Sequence, residues 1–171
     1  IDLDEIPDDE VSPGSATTDI GLAGLVDHDT PCDPQEYERK YFGHSRGTRF
    51  ANALVAAGVE PGDRVGVLDW NSRRHFELYW SIPGLGAVML QMNLRLGAED
   101  LGYVVGHSKV SYVCVDESLL PIAESVAANS PQIKGWIVMT DKPLDQIKTT
   151  LKPLLHYEDL LAAADPKIAW P

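Results

Sequence analysis

Four short apolar runs recur along this 171-residue chain: RVGVLD (64–69), AVMLQM (87–92), VSYVCVD (110–116) and GWIVMT (135–140). Each is apolar at successive positions, so each reads as a strand with two apolar faces. Strands of that kind must be covered on both sides, which is the condition of a parallel sheet in an α/β protein. The intervals supply the cover. Residues 73–86, 98–108 and 118–129 carry a helical period, 142–153 reads as a connecting segment, and HYEDLLAAA (156–164) closes as a short helix. Upstream, QEYERKYFGHSRGTRFANALVAAG (35–58) reads as one helix. Tyr37, Tyr41, His44, Phe50, Ala53, Leu54 and Ala57 follow three-four spacing, Gly58 stops it, and EPGD (60–63) is a turn. The predicted fold class is therefore α/β, with a mostly parallel sheet flanked by helices on both faces.

Charge divides the chain before any motif does. Residues 1–35 hold ten acids and neither Lys nor Arg, whereas the remaining residues hold sixteen acids and all fourteen bases. We read 1–34 as an acidic, loosely ordered arm, in which only Ile20–Val26 is apolar enough to dock on a core. Residues 35–171 form the predicted α/β subdomain. A net charge of −12 gives nucleic acid no basic footprint and an anionic membrane no attraction. No apolar run is long enough for a transmembrane segment, and the acidic N-terminus carries no secretion signal. Cys32 and Cys114 have neither metal nor redox spacing, and Cys114, inside an apolar run, is expected to be a buried thiol. A cytoplasmic setting is the expectation.

The stretch Trp70–Leu96, WNSRRHFELYWSIPGLGAVMLQMNLRL, concentrates four aromatic side chains, a proline and two glycines between strands. Asn71 or Ser72 caps its helix. Phe76, Tyr79, Trp80 and Pro83 make one stripe and Leu78, Ile82 and Leu85 the next, so the helix is expected to be heavily buried. Pro83 should bend it, and Gly84 and Gly86 permit a close approach and a sharp exit. Arg73, Arg74 and His75 stand at the helix start, where anions are attracted. They read either as a solvated first turn or as a face turned to a ligand or partner.

Other candidate chemistry is thin. His107 belongs beside a helix C-terminus, and His28, His44 and His156 lack ligand spacing. Asp8-Asp9 and Glu99-Asp100 are adjacent and point apart. Ser45, Ser72 and Ser111 lack a G-x-S-x-G context. Gly84-Leu85-Gly86 precedes a strand instead of following one, which disfavours dinucleotide binding. PGSATTD (13–19) is hydroxyl-rich but has no lysine and no preceding strand. Asp69 and Asp116 end strands, the one feature that favours a flavodoxin-like domain holding a phosphate ligand.

The order of residues from Ala51 to Leu96 resembles the N-terminal region of the adenylate-forming acyl-CoA synthetases, above all the medium- and long-chain fatty acid–CoA ligases. Trp70, Asn71, His75, Glu77, Tyr79, Pro83, Gly86, Ala87, Val88, Asn93, Arg95 and Leu96 fall in the family's order. The likeness continues through EDLGYVVGHSKVSYVCVDESLLPIAESV and, fainter, to HYEDLL. It departs at Asn93-Leu94-Arg95, where the family usually has Asn-Pro-Arg, so a less rigid turn is expected.

The resemblance implies a whole enzyme that uses ATP and Mg to convert a fatty acid to an acyl-adenylate, and coenzyme A to displace AMP. It also implies that the lysine-bearing phosphate loop and the later adenine- and metal-binding motifs lie beyond Trp170-Pro171. On that reading no catalytic, cofactor-binding or metal residue is expected in this chain, and it is an architectural N-terminal fragment, inactive alone and bound to no cofactor. Its partners would be the remainder of the enzyme and, as in some relatives, a second copy in a homodimer. The alternative is a non-catalytic α/β binding or interaction module, whose aromatic 70–83 face meets a partner.

Overall fold

A computed structural model describes residues 44–167, with side chains from Arg46 onward. The elements are α1 (His44–Ala56), β1 (Arg64–Leu68), α2 (Arg73–Gly84), β2 (Val88–Gln91), α3 (Ala98–Ser108), β3 (Tyr112–Asp116), α4 (Leu120–Ala127), β4 (Gly135–Met139), β5 (Leu154–His156) and α5 (Tyr157–Ala163). Single 3₁₀ turns at Glu117–Leu119 and Leu144–Gln146 complete the set. All strand pairs are parallel, in the order β2-β1-β3-β4-β5. The order reverses between β1 and β3, the place where open α/β sheets leave a crevice at their carboxyl ends.

The pleat sorts the strand residues between two cores. Val65, Val67, Tyr112, Cys114, Ile137 and Met139 face α1, α2 and α5, where Phe50, Leu54, Leu78, Ile82, Tyr157 and Leu161 meet them. Leu68, Val113, Val115, Trp136 and Val138 face α3 and α4, meeting Leu101, Val105, Leu120, Ala123 and Val126. Alternate residues of one strand therefore serve opposite layers. That is why β3 and β4 are apolar at successive positions, whereas β2, at the sheet edge, is exposed at Val88 and Gln91.

Close approach fixes two backbone positions. A Cβ on Gly135 would stand 2.9 Å from the Tyr112 ring. Gly86 takes φ +74°, and its carbonyl accepts from Gly62 N–H at 2.8 Å, which locks the exit of α2 against the 60–63 turn.

The predicted elements are found with three corrections. First, β5 lies where the sequence suggests a connecting segment running into a helix. Three residues cannot show a period, and Leu154 to His156 are recruited by pairing with Trp136 to Val138. Second, the helix expected over 118–129 opens as a 3₁₀ turn and becomes α-helical from Leu120, just before Pro121. Third, α2 is not heavily buried. Leu78 and Ile82 lie on the sheet, but Phe76, Tyr79 and Trp80 are 51%, 45% and 51% exposed. One stripe is enough to seat a helix on a sheet, and the second stripe points away from it. The helix stops at Gly84, one residue past Pro83. Residues 35–43 of the expected first helix lie outside the described residues.

Candidate functional site

The carboxyl end of the sheet is where the chain gathers its polar side chains, and α2 does most of the positioning. Asn71 adopts φ +60°, which turns β1 sharply into α2. Ser72 caps the helix, its Oγ accepting from His75 N–H at 3.3 Å. The Asp69 carboxylate ties this corner together. Its Oδ2 accepts from Ser72 N–H at 3.0 Å and Ser72 Oγ at 2.8 Å, and His75 Nδ1 lies 3.2 Å away. Asp69 and His75 are both buried, and Asp69 Oδ1 and His75 Nε2 meet no partner among the described residues.

One residue further on, Trp70 reaches across the switch point and its Nε1–H donates to Ser118 Oγ at 2.9 Å. Ser118 in turn donates from N–H and Oγ–H to Asp116 Oδ1, at 2.9 and 2.5 Å. The crevice between β1 and β3 is thus bridged by the protein's own side chains. Asp69 and Asp116, the strand-ending acids of the phosphate-site alternative, are engaged as caps.

A second network joins three helices. Glu77 lies on the buried side of α2. It accepts from Arg46 Nε at 2.7 Å and from Tyr157 Oη at 2.8 Å. Arg46 Nη2 also donates to both oxygens of Glu158 at 2.9 Å, and Arg74 Nε donates to Glu158 at 2.8 Å. Arg74 Nη2 bonds Asp141 beyond β4, while Lys142 Nζ and Thr140 Oγ1 bond Glu117. Arg73, more exposed, lies 3.7 Å from Glu77. The Arg73–Arg74–His75 turn therefore serves acids of its own chain, and of the two readings left open above, neither a bare solvated turn nor a free ligand face describes it.

These placements move protonation equilibria in ways that resist chemistry. Burial raises the Cys114 thiol far above its usual value, with the Asp69 charge adding to the effect, so the thiol stays protonated and inert. Burial also raises the Tyr157 hydroxyl, reinforced by the charge of Glu77. Burial disfavours the Glu158 carboxylate, but donors from Arg46 and Arg74 outweigh it and hold the group below the usual range. Lys142, then Thr140, lower Glu117 likewise.

The remaining candidates separate. His107 closes α3 and its ring stacks on Tyr103 at 5.6 Å. His156 is buried at the end of β5, with Asp159 Oδ1 3.3 Å from Nδ1. Ser111 bonds the Arg64 carbonyl, and Glu99 and Asp100 sit in the first turn of α3. Asn93 Oδ1 accepts from Arg95 N–H at 3.0 Å, so a side chain closes the Asn93-Leu94-Arg95 turn. Cys32, His28, Asp8, Asp9, residues 13–19 and the side chains of His44 and Ser45 lie outside the described residues.

Sequence reasoning missed the network centred on Glu77, Glu158 and Arg46. One signal could have found it. A glutamate on the seated side of an otherwise apolar helix must have a partner, because an unpaired buried carboxylate is costly.

At the carboxyl end Arg46, Arg74 and Lys142 are each paired with an acid of the chain. Among the described residues no group of three His, Cys, Asp or Glu is placed to hold a metal ion. Nor is any described helix long and apolar enough to cross a membrane.

The sequence pattern of the family described as "AMP-binding enzyme" matches residues 44–167. The chain belongs to this family. Among curated members, the medium-chain-fatty-acid–CoA ligase of Ectopseudomonas oleovorans is 32% identical over 126 residues, covering 74% of this chain and 23% of that protein. The long-chain-fatty-acid–CoA ligase of Thermus thermophilus is 34% identical, covering 72% and 22%. A 3-methylmercaptopropionyl-CoA ligase of Ruegeria lacuscaerulensis is 31% identical, covering 72% and 23%. The chain thus spans about a quarter of the length of these AMP-binding enzymes. A solved structure described as a putative long-chain-fatty-acid CoA ligase from Rhodopseudomonas palustris superposes with a TM-score of 0.64 at 28% identity, covering 78% of this chain and 31% of that one. An anthranilate CoA ligase in complex with anthranoyl-AMP superposes at 0.68 with 22% identity, a likeness of fold, covering 78% and 24%. The parallel sheet with helices on both faces is the fold of an adenylate-forming acyl-CoA ligase subdomain. An unrelated flavodoxin-like domain is overturned by the family match, although the strand order is shared with that fold.

Proposed function

We propose that this chain is the N-terminal architectural part of a fatty acid–CoA ligase. The whole enzyme would join a fatty acid to AMP, releasing pyrophosphate from ATP, and then pass the acyl group to the thiol of coenzyme A. The observation that carries this reading is the family match over residues 44–167, with medium- and long-chain fatty acid–CoA ligases among the relatives above 30% identity. A carboxyl end whose charges are spent on one another supports a role in which this part supplies no catalytic, cofactor-binding or metal residue. It would instead present a preformed sheet and helices to the remainder of the enzyme.

The test replaces the matching quarter of the Ectopseudomonas medium-chain ligase with this chain. The reading expects the chimera to form AMP and acyl-CoA from a medium-chain acid, ATP and coenzyme A, while the 171-residue chain alone forms none. Acid-dependent AMP release by the chain alone overturns the architectural role. A chimera that folds yet prefers 3-methylmercaptopropionate overturns the fatty acid assignment.

A further inference from the structure

The sheet has two outer strands among the described residues, and only one of them is protected. β5 has three residues, follows Pro153 and turns at once into α5 at Tyr157. A short strand beside a proline offers little to a further strand. β2 is different. Its four residues, Val88 to Gln91, include no charge, no proline and no glycine. Val88 N–H donates to the Asp63 carbonyl at 2.7 Å and Met92 N–H to the Val67 carbonyl at 2.9 Å, so these positions face β1. The backbone groups of successive strand residues point alternately to the two sides. The N–H and C=O of Met89 and Gln91 therefore point outward, where the described residues place no strand.

The side chains beside that free edge are half covered in a matching way. Met89 packs on the core under α1 and α2, and Leu90 on the core under α3 and α4, yet both stay only partly buried. Each lacks a lateral neighbour on the outer side, and Val88 is 49% exposed. Tyr79 of α2 leans over the edge, its Oη accepting from Gln91 Nε2, and Phe76 extends the same exposed apolar shelf one turn earlier. We propose that β2 receives a further strand, apolar on both faces, from the part of the enzyme that this chain does not contain. Main-chain bonds to Met89 and Gln91 would hold it, and Met89 and Leu90 would give it an apolar neighbour on each face. The source follows from length: the chain spans only 22–23% of the curated ligases it matches. A second copy suits the edge less well. A two-fold axis that paired β2 with itself would bring two copies of α2, each overhanging the edge, onto the same side. This inference rests on the reading of the chain as part of a larger ligase.

Amide hydrogen exchange, read residue by residue, tests this on the full 171-residue chain and on the chimeric Ectopseudomonas ligase. In the chain alone Met89 and Gln91 should exchange quickly, and Leu90, which faces β1, at least about tenfold more slowly. In the chimera Met89 and Gln91 should slow by about a hundredfold. Gln91→Pro removes the outward N–H and leaves the bonds to β1 in place. Gln91→Ala is its control, because it loses only the bond to Tyr79. The two variants should be equally stable in the chain alone, whereas Gln91→Pro should lower the folded yield of the chimera at least about tenfold relative to Gln91→Ala. Met89 and Gln91 amides that exchange as fast in a chimera forming acyl-CoA as in the chain alone overturn the proposal and leave the ligase reading standing. Slow exchange in a chimera that forms no acyl-CoA supports the added strand and counts against the ligase reading instead. Slow exchange in the chain alone overturns the proposal. If it fades on dilution, a second copy holds the edge; if it persists, the chain covers its own edge. Equal chimera yields for Gln91→Pro and Gln91→Ala overturn it as well.

Discussion

The two ends of the sheet differ more than its two faces. At the carboxyl ends of the strands, where a fold of this order offers its crevice, Asp69, Arg74, Glu77, Glu117, Asp141, Lys142 and Glu158 all find partners within the chain. At the amino ends, where the fold offers nothing, lies an apolar groove. The comparison separates what topology supplies from what residues supply. A switch point is only an opportunity, and here the Trp70–Ser118 bridge and the caps at Asp69 and Asp116 use it for the protein's own structure.

The sharpest way to break this comparison is at Glu77. If the carboxyl-end network is structural, Glu77→Ala leaves Arg46 and the buried Tyr157 hydroxyl without their acceptor. Losing one partner of a buried pair costs more than the pair contributes. Because Arg46 keeps Glu158 and is partly exposed, we expect a loss of about 2–3 kcal/mol, below the full buried-pair range. Urea unfolding checks it. Glu77→Gln, which can still accept from Tyr157, should cost less. A Glu77→Ala chain as stable as the wild type would mean that these charges are free for another use.

The sequence made the frame legible and the site illegible for one reason. Val65, Val67, Val113 and Val115 announce a doubly covered strand because burial acts on each residue singly, and the α3 range is readable because Leu101 and Val105 repeat with a helical period. The network depends on pairs instead. Arg46 and Glu158 are 112 residues apart, and nothing local in either segment names the other. β5 escaped for the same reason, since its three residues are a strand only by virtue of β4. The exposure of Phe76 and Tyr79 shows the complementary error, of reading aromatic content as burial where only one stripe touches the sheet.

A second test sharpens the comparison through acid. Donors from Arg46 and Arg74 hold Glu158 below the ordinary carboxylate range despite burial. A group whose folded-state pKa lies below its unfolded value of about 4.3 stabilises the fold fully above that value, and the contribution is lost as pH falls through the folded-state pKa. Stability should therefore decline below about pH 4.5 on this account. Glu158→Gln should lower stability at pH 7 by about 1 kcal/mol and flatten the acid decline, since no proton is taken up there. Thermal unfolding across pH 3–7 reads both. An acid limb as steep in the variant as in the wild type would place the sensitivity elsewhere.

The smallest expected effect lies at the amino end, where conformation rather than charge sets the cost. Lys109 ends α3 at φ +53° and ψ +45°, with its N–H turned back to the carbonyls of Val105 and Gly106. That left-handed cap is a glycine position, because a Cβ there crowds the following carbonyl. Lys109→Gly relieves that crowding but loosens the unfolded chain, and the two effects oppose. The net gain should be about 0.5 kcal/mol. Lys109 is also exposed and makes no ion pair among the described residues, so the gain should be the same in low and high salt. A gain that vanishes at low salt would show that the amino end, too, is held by charge, and the contrast between the two ends would fail.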